Sequence, residues 1–418
     1  MLIKGNNPKT EPTVAIGLVM PIDKQCSVEI ENSADGKVYH IESNNEQIII
    51  DDKSLPSIEL KNKSNDSHFI IRPITAGRGF HWEKEISVKV QGNLRVSNKD
   101  GFLFVVNIIQ LEMYLMCVAT SEMSGECPPE LLKAQTIAAR SWLVAAAEQK
   151  HADLGLDACN DDCCQRYQGI GNLTEAARSA TERTCGQFLL YNNEICDTRY
   201  SKSCGGISEH NDNVWDTEPK PYLRGIFDGI QKDIPNLFDT QGLKDWVSNY
   251  PDCYCGNNYI SGDILKKYLG NVDEKGNYFR WEFTYSQEEL TQLISKKTGI
   301  SFESISSLQP LDRGISGRII QLQINGISKS RPFQILLESE YEIRRVLHPD
   351  FLYSSAFIII ANSDTEPALS EITLKGAGWG HGVGLCQIGA LGMALKSKSS
   401  KQILSHYFLE TELKKLYD

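Results

Sequence analysis

Hydrophobic and polar positions change rhythm along this chain. Residues 1–12 are polar, carry Pro8 and Pro12, and read as a loose lead-in. From Val14 to about Val106, short β-branched runs alternate with polar Asn, Asp, Ser and Gly clusters; the runs are Val14–Met20, Gln47–Ile50, Phe69–Ile71 and Ile86–Val90. Such side chains suit a pleated, half-buried surface, so these runs predict strands. Leu94–Ser97 and Phe102–Asn107 flank Asn98-Lys99-Asp100-Gly101, which predicts a hairpin. The pattern implies a β-rich domain over 13–94 and a mixed region over 95–418.

The period then becomes helical. Pro128-Pro129 opens Glu130–Lys150, which is rich in Ala, Leu, Gln and Lys. Proline fits a first helical turn, where its missing N–H costs nothing, and Ala134, Ala138 and Ala139 favour a helix and leave room for close packing. A second helix is expected at about 173–183, and residues 226–275 read as a loop-rich insertion. Gln287–Thr298 reads as a helix, and Arg318–Ile324 and Arg331–Leu337 as strands around an Asn-Gly turn at 325–326. A glycine-dense stretch, Gly376–Gly392, precedes a helix expected around 401–409. β-rich first and mixed afterwards is the order of an α+β protein with one long Ala-rich helix, not of alternating βαβ units.

Composition narrows the function. A chain of 418 residues predicts roughly two to three domains or subdomains. Apolar content of 41% and charged content of 23% are those of an ordinary soluble protein with a real core. The net charge of −11 argues against a nucleic-acid surface, which needs a basic footprint. No stretch approaches the roughly 20 apolar residues of a membrane span, and no apolar leader region is visible at the N-terminus.

Four stretches carry candidate chemistry. Ser121-Glu122-Met123 lies just before the Pro-Pro helix start, where a carboxylate commonly serves as a cap or dipole partner. His151, Cys159, Cys163 and Cys164 place one imidazole and three sulfurs within fourteen residues; a tetrahedral Cys3His zinc site and a disulfide or buried thiols both fit. Gly376–Ala390 has glycine at nearly every second position around His381 and Gln387, and it lacks the Gly-Lys-Ser/Thr of a P-loop. In Ser201–Gly206, Ser203 or Cys204 could act as a nucleophile with His210, though no Gly-x-Ser-x-Gly elbow is present.

Taken in order, these stretches resemble the SpoIID/LytB family, named for a stage II sporulation protein D and an amidase enhancer. The resemblance runs through Asn107, Glu112-x-Tyr114-Leu115, Ser121-Glu122-Met123 and the helix with Lys133-Ala134-Gln135 and Arg140. It continues in Cys164-Gln165-x-Tyr167-x-Gly169, Cys204-Gly205-Gly206, Ser316-Gly317-Arg318, Gly380-His381-Gly382-Val383-Gly384, Gln387 and His406-Tyr407, and so covers most of 95–418. The chain departs from the family pattern at Ser124 (often proline), Cys127 (often tryptophan), Cys163 (more usually histidine) and Cys386 (more usually serine).

The resemblance implies a peptidoglycan lytic transglycosylase. Such enzymes cut the β-1,4 bond between N-acetylmuramic acid and N-acetylglucosamine and leave a 1,6-anhydro end. By position Glu122 matches the catalytic glutamate, and His151, Cys159, Cys163 and Cys164 match a zinc site. One carboxylate suffices because the muramyl 6-hydroxyl is itself the nucleophile, whereas ordinary glycosidases use a carboxylate pair. To give a proton near neutral pH, such a carboxyl needs an apolar, poorly solvated setting. Gln165, Tyr167, Ser203, His381 and Gln387 are the candidates for holding the sugar. Four protein ligands leave no open position, so one structural zinc per chain is expected, holding the Gln165–Tyr167 loop. Glycan strands are the implied partner, with a cell-wall amidase as a second, and the implied place of action is the cell envelope. The competing readings are a non-catalytic amidase enhancer that only binds peptidoglycan, and a zinc-dependent cell-wall hydrolase.

Overall fold

The computed structural model describes residues 1–64, 66–79, 83–231, 233–249, 251–269, 278–362 and 371–418. The expected insertion at 226–275 falls partly outside them; its described part contains helices Thr240–Ser248 and Gly262–Leu269. The fold is α+β and divides into two compact units: 1–197 with 267–272 and 412–418, and 198–266 with 273–411.

The first unit holds the β-rich region. A six-stranded sheet runs Lys53–Leu55, Gln47–Ile50, Val38–Asn44, Ser27–Asn32, Phe69–Ala76, Lys84–Val90, with antiparallel pairing throughout. A five-stranded sheet runs Ala158–Cys159, Thr13–Val19, Phe102–Gln110, Asn93–Lys99, Ser57–Leu60. The predicted hairpin forms, with Phe102 opposite Lys99 and a two-residue turn whose Asp100 and Gly101 both have positive φ, as a tight hairpin requires. Because Thr13–Val19 pairs with Phe102–Gln110, strands from both sides of the expected 94/95 boundary share one sheet, and the compact unit continues to Asp197.

Three helices complete this unit: α1 (Leu111–Glu122), α2 (Pro129–Ala145) and α3 (Glu175–Arg183). α1 carries no amphipathic stripe because all its residues but Met113 are buried; a helix buried on every side is a core helix. α2 begins at the predicted prolines but stops at Ala145, not Lys150. Ala146 takes a left-handed conformation and its N–H bonds back to Leu143. A buried ion pair joins α1 and α2: Arg140 Nε donates to Glu112 Oε1 at 2.9 Å, and Tyr417 Oη donates to the same oxygen at 2.6 Å.

The second unit is built on two three-stranded antiparallel sheets. One runs Arg280–Ser286, Glu371–Ala377, Phe357–Asn362; the other Ser304–Arg313, Ile319–Ser328, Arg331–Leu337. Helices Gln287–Thr298 and Glu340–Val346 supply Leu290, Ile294 and Ile343 to a core shared with Trp281, Ile305 and Ile324. The Gln287–Thr298 helix has the predicted bounds and a Ser286/Glu289 capping box. The turn expected at Asn325-Gly326 is corrected. Both residues lie inside a ten-residue strand, paired with Gln334 and Phe333, and the chain reverses at Lys329-Ser330. Ser304–Arg313, not read from the sequence, pairs along the other edge of that strand and overrides the local turn preference. The glycine-dense stretch ends in a short strand, Leu385–Cys386, parallel to Tyr200–Ser201, and then a helix, Gln387–Leu395.

Candidate active site and metal-ligand clusters

Glu122 is the last residue of α1, not the entrance of α2. The capping expected of it at a helix start is therefore replaced by a position at a helix end, where Met123 leaves in extended conformation. The side chain is buried, at 9% exposure, and Oε1 accepts the backbone N–H of Arg166 at 3.1 Å. Beside it, Ser121 Oγ accepts the Gln168 N–H at 3.1 Å, so two consecutive residues at the end of α1 bind the 166–168 backbone.

That backbone continues directly from the cysteine cluster. Cys159 sits on the edge strand paired to Gly17, His151 precedes a short 3-10 turn, and Cys163 and Cys164 follow a tight loop. The four donor atoms lie within 4.8 Å of one another, with Cys159 Sγ 3.0 Å and His151 Nε2 3.6 Å from Cys163 Sγ. Hydrogen bonds from Cys159 and Cys164, with His151 beside them, hold the Cys163 thiol well below its ordinary range. The early end of α2 is what lets the chain fold back and present His151 to this group.

Gln165 and Tyr167 are buried and bonded internally. Gln165 accepts from Tyr114 Oη and donates to Ala139 O, both at 3.1 Å; Tyr167 Oη donates to Asn107 Oδ1 at 2.7 Å. The Tyr114 and Tyr167 rings lie 5.0 Å apart. These residues fasten the 164–168 segment to α1, α2 and the sheet.

Sequence reading missed the Asp162–Arg166 pair, whose guanidinium grips Asp162 through Nε and Nη2. Burial pushes the Asp162 carboxyl up to about 6, against the pull of Arg166, and the nearby charge of Glu122 adds to the rise. No helix spans 162–166, so the i, i+4 spacing of opposite charges gave no usable signal.

Ser203, His381 and Gln387 belong to the second unit. Ser203 is fully buried and exchanges backbone hydrogen bonds with Trp379 at 2.8 and 3.0 Å. His381 Nδ1 accepts the Val383 N–H at 3.0 Å, which places the proton of the neutral ring on Nε2. Burial, reinforced by the charges of Arg199, Arg344 and Arg318, holds His381 well below its ordinary range. Gln387 opens its helix, buried. The glycines around His381 admit Arg318: a Cβ on Gly382 would stand 2.4 Å from the guanidinium carbon. His210 spends Nδ1 on the Gly225 N–H at 2.8 Å, and Cys204 points instead into a second cluster with Asp228, Cys255 and Cys386. Sequence reading missed this second cluster: Cys255 neighbours Cys253 along the chain, and nothing local ties it to Cys204 or Cys386.

Among the described residues, no helix is long and apolar enough to cross a membrane. Residues 99–191 match the family model described as Stage II sporulation protein, and residues 209–384 match one described as Domain of unknown function (DUF8618). The chain is 27% identical to an uncharacterized protein of Brachyspira hyodysenteriae over 77% of its own length and 71% of that relative. It is 24% identical to Stage II sporulation protein D of Bacillus subtilis, over 74% of this chain and 75% of the relative. It is also 24% identical to the Amidase enhancer of Bacillus subtilis, over 71% of this chain but 39% of that protein. The motifs and these matches agree: the chain is similar to the SpoIID/LytB family, with residues 99–191 matching the Stage II sporulation protein model.

Proposed function

We propose that the chain is a peptidoglycan lytic transglycosylase with Glu122 as its acid and base. The observation that carries this reading is the placement of Glu122: a carboxylate at the end of a buried helix, with one oxygen fixed by the Arg166 N–H next to the cysteine loop. In the proposed reaction the Glu122 carboxyl protonates the glycosidic oxygen as the bond to the muramyl anomeric carbon breaks. The same group then takes the proton from the muramyl 6-hydroxyl as its oxygen closes on that carbon. One proton is given and one recovered, so no second carboxylate and no water enter the product.

The donors His151, Cys159, Cys163 and Cys164 suit a zinc ion: borderline-soft sulfur and imidazole ligands, four in number and within mutual reach. Zinc there would fill its coordination sphere with protein and act by tying the loop. Through Arg166 the tied loop orients Glu122. Gln165 and Tyr167 then act as positioning residues, and Ser203, His381 and Gln387 stay as candidates for holding substrate.

A second reading has its own support. Burial of Glu122 together with the internal bonding of Gln165 and Tyr167 suits a peptidoglycan-binding module without catalysis, and one relative is named Amidase enhancer. Zinc-loaded protein incubated with purified peptidoglycan separates the two. The proposal expects soluble fragments with anhydro ends by mass spectrometry. Binding with no such fragments, and faster cleavage by an added cell-wall amidase, supports the enhancer and overturns the proposal.

A further inference from the structure

The second unit contains a group of donors that the proposed reaction does not use. Cys204, Asp228, Cys255 and Cys386 are all buried, and one ligand atom from each lies within 4.8 Å of the others. Cys204 Sγ stands 3.7 Å from Cys255 Sγ and 3.4 Å from Asp228 Oδ2. Sulfurs bound to one zinc at about 2.3 Å occupy tetrahedral vertices about 3.8 Å apart, so the observed thiol spacing is that of two ligands on one ion.

The surroundings are arranged as they are around bound thiolates and carboxylates. Cys386 Sγ accepts the N–H of Cys204 at 3.2 Å and of Gly389 at 3.3 Å, and Cys204 Sγ accepts the N–H of Gly206 at 3.4 Å. Backbone donors to sulfur stabilise the anionic form that a metal requires. Asp228 is held from its far side: Oδ1 accepts from Tyr407 Oη at 2.7 Å and faces His406 Nε2 at 3.4 Å, which leaves Oδ2 toward the sulfurs. Partners of this kind orient a ligating carboxylate. Space for Asp228 depends on Gly389, where a Cβ would stand 2.4 Å from Oδ2. With Oδ1 held by Tyr407 and His406, the fully buried carboxylate still turns Oδ2 toward the thiols, a placement that a bound cation would favour.

We infer that Cys204, Asp228, Cys255 and Cys386 form a second metal site, a closed Cys3Asp centre for a borderline-soft divalent ion of the zinc class. Full coordination by protein makes it structural. It ties four segments separated in sequence: the Cys204-Gly205-Gly206 turn, the stretch at Asp228, the turn at Cys255 and the start of the Gln387–Leu395 helix. It therefore fixes the backbone next to Ser203 and Gln387. The count of ions does not depend on what happens at Glu122, so this inference and the proposed reaction fail separately.

The test is the zinc content of the purified full chain by elemental analysis and native mass spectrometry, after stripping and reloading with zinc alone. The expected result is two ions per chain in the wild type, one in Cys163→Ser, one in Cys386→Ser, and none in the double variant. Zinc absorption spectroscopy on Cys163→Ser should show a sulfur-dominated shell with one light ligand. If Cys386→Ser does not fold, the wild-type and Cys163→Ser counts decide alone. A wild type that never exceeds one ion, a Cys386→Ser count equal to wild type, or a Cys204–Cys255 disulfide in the zinc-loaded protein each overturns the assignment.

Discussion

The two cysteine clusters each set three thiols beside one further donor, a histidine or an aspartate, and differ in how the chain assembles them. In the first unit His151, Cys159, Cys163 and Cys164 come from one short stretch, with Cys163 exposed, and their loop runs straight into the backbone that holds Glu122. In the second unit Cys204, Asp228, Cys255 and Cys386 are wholly buried, and Cys204 and Cys386 meet across 182 positions. A cluster made locally sits at the edge and can serve a neighbouring site. A cluster made by tertiary contact sits in the core, and in our proposal it serves the fold.

If the first cluster serves a reacting carboxylate, the largest effect belongs to Glu122. Glu122→Gln keeps the size and polarity of the side chain and removes its proton chemistry. Formation of anhydro ends should fall by about 10²–10⁴-fold, with the zinc content unchanged. Product analysis and elemental analysis on the same sample check both halves.

Next comes the buried pair that locks α1 to α2 behind Glu122. Glu112→Ala leaves the fully buried Arg140 guanidinium without its carboxylate, and should cost about 3–5 kcal/mol in urea unfolding. A loss below ~1 kcal/mol would show that the helix pair is held by apolar packing alone.

The clusters themselves should then part company. Cys163→Ser should lower product formation on the order of 10²-fold or less, because a displaced loop misplaces Glu122 without removing it. In Cys163→Ser a kcat loss is expected with little change in KM. Equal losses from Cys163→Ser and Cys386→Ser would erase the distinction drawn between the two clusters.

The smallest effects test whether the two units are capped alike. Ser286 accepts from Glu289 N–H in a capping box, and Thr174 Oγ1 accepts from Ala177 N–H at 3.2 Å. Each Ala substitution should cost about 1 kcal/mol, read from urea unfolding.

Legibility in the sequence follows the same divide. Strands with alternating burial, such as Gln47–Ile50, and capped amphipathic helices, such as Gln287–Thr298, were readable because one face meets water. α1 was not, since a helix buried all round has no period to detect. That omission moved Glu122 from a helix end to a helix start. Asn325-Gly326 misled because a neighbouring strand, invisible locally, outweighed turn preference. The first cluster could be noticed from its local spacing, which left zinc and thiols both open, and the resemblance in motifs singled out Glu122. The internal engagement of Gln165 and Tyr167 was not, because their partners Tyr114, Ala139 and Asn107 lie 26 to 60 positions away. The second cluster depended wholly on tertiary assembly.

The central claim is that Glu122 directs an intramolecular closure and not an attack by water. Digestion of peptidoglycan in isotope-labelled water tests it most directly. The account predicts new muramyl ends that are anhydro in form and carry no label, and that disappear with Glu122→Gln. Labelled, hydrated muramyl ends from the wild type, or unlabelled anhydro ends made equally well by Glu122→Gln, would contradict it.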